Sequence, residues 1–110
     1  MPHFMLQMKY SADAVKAMVA RPHDRRRAAA AAIQAVGGKM IGAWFTFGAK
    51  DVVVIFEAPN PTSAIALSMM LGNSGAASDV ETTPLLTTEE AVAAMKQAAK
   101  TASAYKSPMK

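Results

Sequence analysis

The sequence predicts an α+β fold: a ferredoxin-like β-α-β-β-α-β sandwich with a four-stranded antiparallel sheet and an extra C-terminal helix. Three observations predict it. Short runs that suit half-buried strands alternate with segments of helical period. Clusters of Gly, Pro, Asn and Asp separate them. The length, 110 residues, suits one small core and leaves no room for a second. One domain is expected over residues 1–102, with residues 103–110 as a frayed tail.

Residues 3–10, HFMLQMKY, read as the first strand. Alternation puts Phe4, Leu6, Met8 and Tyr10 on one face and His3, Met5, Gln7 and Lys9 on the other. Ser11 or Asp13 caps a short helix over 12–20. Pro22 sits near the first turn of the next helix, where its missing N–H costs little. The stretch 24–36 is alanine-rich and strongly helical, with Ala29, Ala32, Ile33 and Val36 as one stripe. Gly37 and Gly38 end it, the first as a C′ glycine.

Residues 39–47, KMIGAWFTF, are the second strand. Strict alternation sets Ile41, Ala43, Phe45 and Phe47 against Met40, Trp44 and Thr46. A short connection, Gly48-Ala49-Lys50-Asp51, leads into the third strand, 52–57, VVVIFE. Strands this close pair as an antiparallel hairpin. Asn60 caps a helix over 61–71, with Pro61 at its first position and Ala64, Leu67, Met70 and Leu71 on one face. A weaker strand over 76–84 belongs at a sheet edge, because Pro84 cannot donate to a ladder. Thr87 and Glu90 form a capping box for a last helix over 88–102. Short connections and the right-handed crossover give the strand order 4-1-3-2, with two helices covering one face.

Composition sharpens this frame. Hydrophobic residues reach 52% while charged residues are only 18%, which excludes a disordered chain. There is no cysteine, so disulfides, thiolate metal sites and a cysteine nucleophile are excluded, and a reducing, cytoplasmic setting fits. The N-terminus has no signal-peptide pattern. The longest uncharged stretch, 58–78, is broken by Pro and Gly and is no membrane span. The net charge of +4 gathers at Arg21, Arg25, Arg26 and Arg27 and at the C-terminal lysines. No stacking aromatics interleave with these charges, so they read as solvated helix faces and a nucleic-acid partner is not expected.

The open face of such a sheet should be polar. Here Val52, Val54 and Phe56 alternate with Val53 and Ile55, so the third strand is apolar on both faces, and so is the second. Whichever face meets the helices, the other keeps an apolar patch of the kind that marks an interface. A homo-oligomer packed sheet against sheet is expected, as a dimer or a higher assembly.

The run Gly37 to Gly48, followed by Asp51 to Pro59 and preceded by the strand ending in Tyr10-Ser11, resembles the GYD domain family over about residues 3–94. The family is similar to the dimeric α/β-barrel group of ferredoxin-like proteins. At the Gly-Tyr-Asp signature the chain reads Gly48-Ala49-Lys50-Asp51, with Lys50 where the tyrosine would stand. The resemblance implies a fold more than an activity. It also raises haem as an alternative cofactor, with His3 or His23 as the axial ligand; none is predicted from the residues themselves.

Two carboxylates, two aromatics and a histidine are the candidates for chemistry. Glu57 ends the apolar third strand and Asp51 precedes it with the same parity, so both can address one space. A partly buried Glu57 has the makings of a general base, and His3 on the first strand is the second catalytic candidate. A cross-strand Glu57–Lys9 ion pair is the plainer account. Tyr10 neighbours that strand. Trp44, with Met5, Met40 and Phe45, either lines a pocket for a flat apolar ligand or packs at an interface. Asp51 either binds a ligand or braces its turn. No metal-ligand spacing, P-loop or dinucleotide fingerprint occurs. Two functions follow as expectations. One is a small oligomeric binding or accessory protein. The other is a dimeric-barrel enzyme, cofactor-free or haem-dependent, an oxygenase or isomerase acting on an apolar small molecule.

Overall fold

The computed structural model describes residues 1–109. The elements run β1 (His3–Tyr10), α1 (Ala12–Ala20), α2 (Arg26–Ala35), β2 (Lys39–Phe45), β3 (Val52–Glu57), α3 (Pro61–Asn73), β4 (Ala77–Leu85) and α4 (Thr88–Thr101). The four strands form one antiparallel sheet in the order β2-β3-β1-β4. This is the expected 4-1-3-2 order, with β4 at an edge.

Local chemistry explains each helix end. The Ser11 hydroxyl accepts the Ala14 N–H at 3.1 Å, and Asn60 Oδ1 accepts the Ser63 N–H at 2.9 Å ahead of Pro61. Thr87 and Glu90 close a reciprocal capping box, both bonds 3.0 Å. At the end of α2, Gly37 takes φ +84°. Its N–H reaches Gln34 O and that of Gly38 reaches Ile33 O, the pairing of a Schellman motif. Only glycine fits at 38, because a Cβ there would collide with the Glu57 carbonyl.

The core lies between the sheet and the helices α2 and α3. Phe4, Leu6 and Met8 of β1 and Val52, Val54 and Phe56 of β3 face Ile33, Ala64 and Leu67. Phe4 and Phe56 are cross-strand partners with stacked rings, centroids 5.6 Å apart. This settles which face of β1 and β3 meets the helices.

The second strand departs from strict alternation. Met40 pairs with Phe56, but Gly42 pairs with Ile55, so Ile41 is an extra residue in a β-bulge. Met40, Ala43 and Phe45 therefore share the helix side, and Gly42 and Trp44 share the open side. The strand ends at Phe45, not Phe47, because Thr46 and Phe47 both donate to Asp51 O and Phe47 turns to φ +46°. A second bulge in β4 lies at Asp79, φ +54°, opposite Met8.

Other boundaries moved by a residue or two. Helix α2 begins at Arg26, leaving Pro22 outside its first turn, because Asp24 Oδ1 takes the Arg26 N–H at 2.8 Å. Helix α3 runs through Gly72 to Asn73, and Met70 is exposed rather than on the core face. Helix α4 ends at Thr101 and Ala102–Ala104 follow as one 3-10 turn; Lys110 lies outside the described residues.

Helix α4 makes no extensive contact with the sheet or with the other helices, and Ala91 is its one residue that is not exposed. The molecule measures 58 × 31 × 21 Å with a radius of gyration of 17.6 Å, against about 13 Å for a compact chain of this length. Val92 and Met95 of this helix are left in solvent.

Candidate functional site

The register places the candidate residues in three separate locations. Cross-strand partners share a face, so the open side of the sheet carries His3, Met5, Gln7 and Lys9 of β1, Val53, Ile55 and Glu57 of β3, and Gly42 and Trp44 of β2. Trp44 is 55% exposed. Its indole lies across Gly42, where a Cβ would meet the ring at 2.5 Å. The glycine thus makes a seat for the indole. Met40, which shares the parity of Trp44 in strict alternation, lies on the opposite side of the sheet, and so does Phe45. The four residues therefore do not share one face: the bulge at Ile41 carries Met40 to the helix side, where ordinary alternation already sets Phe45.

The two carboxylates are not brought together. Glu57 and Asp51 lie at opposite ends of β3, about 20 Å apart along the strand. Glu57 Oε1 sits 3.7 Å from His3 Nε2, its register partner, and not beside Lys9. Lys9 turns to Asp51 instead, 3.6 Å from Oδ1. Asp51 is buried, with Oδ2 accepting the Tyr10 N–H at 2.8 Å, while its own N–H donates to Met8 O. It ties the end of β1 to the β2–β3 hairpin, which is a bracing role.

Lys50 makes a neighbouring clamp. Its ammonium lies 2.9 Å from Asp79 Oδ2, donates to Asp79 O at 3.2 Å and is 3.9 Å from Glu81. The side-chain hydrogen bond holds the Asp79 carboxyl below its ordinary range and the Lys50 ammonium above its own. The bulge at Asp79 aims both the carbonyl and the carboxylate at this lysine.

The third location is a chamber of about 300 Å³ on the helix side. Leu6, Met8, Val52 and Val54 form its floor, Leu67 and Leu71 one wall, and Ala28, Ala29 and Ala32 of α2 the other. The alanines are the cause of the space: methyl side chains on α2 face bulkier strand residues and leave a gap beneath the helix. Tyr10 and Phe45 border it edge to face, centroids 5.8 Å apart, and Phe47 extends the chain at 5.6 Å. Of the residues singled out in the sequence for chemistry or ligand binding, Tyr10, Phe45 and His23 line this chamber.

Its rim is polar and comes from the connection between α1 and α2: His23, Asp24, Arg25 and Arg26. His23 Nδ1 donates to Arg21 O at 2.6 Å, and its Nε2 accepts from Arg25 Nη1 at 3.1 Å. Those two partners require the neutral Nδ1–H tautomer. Asp24 pairs with Arg26 at 3.3 Å. The Arg26 amide, helped by the Arg26 and Arg27 guanidiniums, holds the Asp24 carboxyl below its ordinary range. In the sequence the arginines read as a solvated helix face, and His23 stood only as an alternative haem ligand. The one signal that sets them apart is a histidine and a proline breaking the run between two helices.

Among the described residues no group of three His, Cys, Asp or Glu is placed to hold a metal ion, and no helix is long and apolar enough to cross a membrane. Of the two histidines, His23 has both ring nitrogens hydrogen-bonded, and His3 lies on the other side of the sheet from the chamber. No curated protein and no solved structure gives a significant match to the chain. A family model described as GYD domain matches residues 4–95, which takes in all four strands, the helices that cover them and the chamber they enclose. The chain therefore belongs to the GYD domain family.

Proposed function

We propose that this chain is a small-molecule-binding protein that works as an assembly of its own copies, joined through the open face of the sheet. The observation that carries the reading is the surplus of apolar side chains outside the core. Trp44 is more than half exposed, and Met5, Val53 and Ile55 share the uncovered side with it, while the bulge residue Ile41 is also more than half exposed. A second sheet laid against this face would remove them from water at roughly 25 cal/mol for each Å² of apolar surface. The chamber supplies the binding function, within the size range of small-molecule sites. Its position on the helix side leaves it open while the other face is occupied by a partner.

Trp44 tests the assembly because it is the only tryptophan and sits on the proposed interface. Its emission is expected to shift to the red on dilution as the copies separate. Emission that stays red-shifted and independent of concentration across the micromolar range would count against the shared face.

A catalytic reading on a small apolar molecule is the second possibility that the chamber favours. Tyr10, His23 and Asp24 are the titratable groups that border it. His3 and Glu57, the sequence candidates for that role, do not reach it, and no reaction step is assigned to them.

A further inference from the structure

We infer that the chamber takes an amphiphilic anion, a carboxylic acid whose apolar part lies between α2, α3 and the sheet while its carboxylate meets Arg25 at the rim. The inference rests on the chamber being the binding site; it adds the chemical class of what binds.

The interior is built from Leu6, Met8, Val52, Val54, Leu67 and Leu71, so it gains most from an apolar chain. The rim carries two arginines against one acid. Arg26 is answered by Asp24. Arg25 is not: among the described residues no carboxylate lies within ion-pair distance of it. Its recorded side-chain partner is the neutral His23 ring, reached through Nη1 alone. A guanidinium has five N–H donors in a planar fork that matches a carboxylate bidentately. Most of that fork is unused here, and Arg25 is only partly exposed.

His23 acts as the positioning residue. Its Nδ1–H is fixed on the Arg21 carbonyl, and its Nε2 holds one edge of the Arg25 guanidinium. The charge is therefore presented in a set orientation before any ligand arrives, which lowers the ordering cost of binding. A neutral molecule of the same shape would fill the chamber and leave Arg25 unanswered. A cation would meet it unfavourably.

Calorimetric titration with octanoate, octanol and octylammonium at low ionic strength tests this. Octanoate is expected to bind at least tenfold more tightly than octanol, and octylammonium more weakly than either. Arg25→Gln is expected to erase the preference for octanoate and keep the octanol affinity. Arg27→Gln, whose side chain does not line the chamber, is expected to keep the preference. Equal affinity for octanoate and octanol, or a preference that survives Arg25→Gln, overturns the anion inference and leaves the binding site standing. No binding of any of the three overturns both. The ligand comparison on the unmodified protein stands whatever a variant does to folding.

Discussion

Filling the chamber should stabilise the protein while removing its binding capacity. Ala32→Leu is the sharpest form of this perturbation. Ala32 lies in the middle of α2, lines the chamber and packs against the core. Leucine adds three carbons, worth about 2.4 kcal/mol if fully buried at ~0.8 kcal/mol each. Ordering the longer side chain costs about 0.5–1 kcal/mol, and leucine is a slightly weaker helix former than alanine by a few tenths. The net is about 1–2 kcal/mol in favour of the folded state. A chain of 110 residues has an unfolding entropy near 0.23 kcal/mol/K at about 2.1 cal/mol/K per residue. The midpoint should therefore rise by about 4–8 °C. Thermal unfolding followed by circular dichroism reads this, and octanoate titration of the same sample reads the loss of binding. In a core without the space, the same change would cost about 1–3 kcal/mol through overpacking. A midpoint that falls by several degrees would refute the existence of the chamber in solution.

The remaining expectations concern the braces around the sheet. Asp51→Ala removes the buried acceptor of the Tyr10 N–H, and should cost about 1.5–3 kcal/mol, the range for a hydrogen bond to a charged group, seen as a lower denaturation midpoint; Asp51→Asn, which keeps an acceptor oxygen, should lose less. Thr87→Ala breaks the capping box and should cost about 1 kcal/mol, but because α4 barely packs, the loss should appear as reduced helical ellipticity with little change in the main transition. The Lys50–Asp79 clamp should show a pH window. The depressed Asp79 value contributes stability that is present at neutral pH and lost as pH falls below about 4, and the raised Lys50 value contributes stability lost only as pH rises above about 10.5. Lys50→Met should therefore be less stable than the parent near neutrality and converge with it in acid; a constant difference down to low pH would contradict the clamp.

Much of the fold was legible because period, caps and punctuation agree. The alternation of Phe4, Leu6 and Met8, the Asn60-Pro61 start, the Gly37-Gly38 stop and the Thr87–Glu90 box each state one local preference, and the fold satisfies them together. The doubly apolar third strand was legible for the same reason. What alternation could not give was the bulge at Ile41. One inserted residue reverses the facing of everything before it, so Met40 and Trp44 separate. Gly42 inside an apolar strand is the trace such a bulge leaves in sequence. The side-chain pairings were out of reach because they depend on register: Glu57 finds His3 and Lys9 finds Asp51 only once the β1–β3 pairing is fixed. The chamber was invisible for another reason. It is made by alanines that fail to fill space, and small residues on a helix read equally as close packing.

The claim that bears most weight is that one copy leaves its apolar surface unfinished. The molar mass in solution, from size exclusion with light scattering, tests it directly. The unmodified protein is expected to show a mass at least twice 11.6 kDa, with a return toward that single-chain value when Ile55→Glu places a charge at the centre of the open face. A clean 11.6 kDa species for the unmodified protein at tens of micromolar would contradict it.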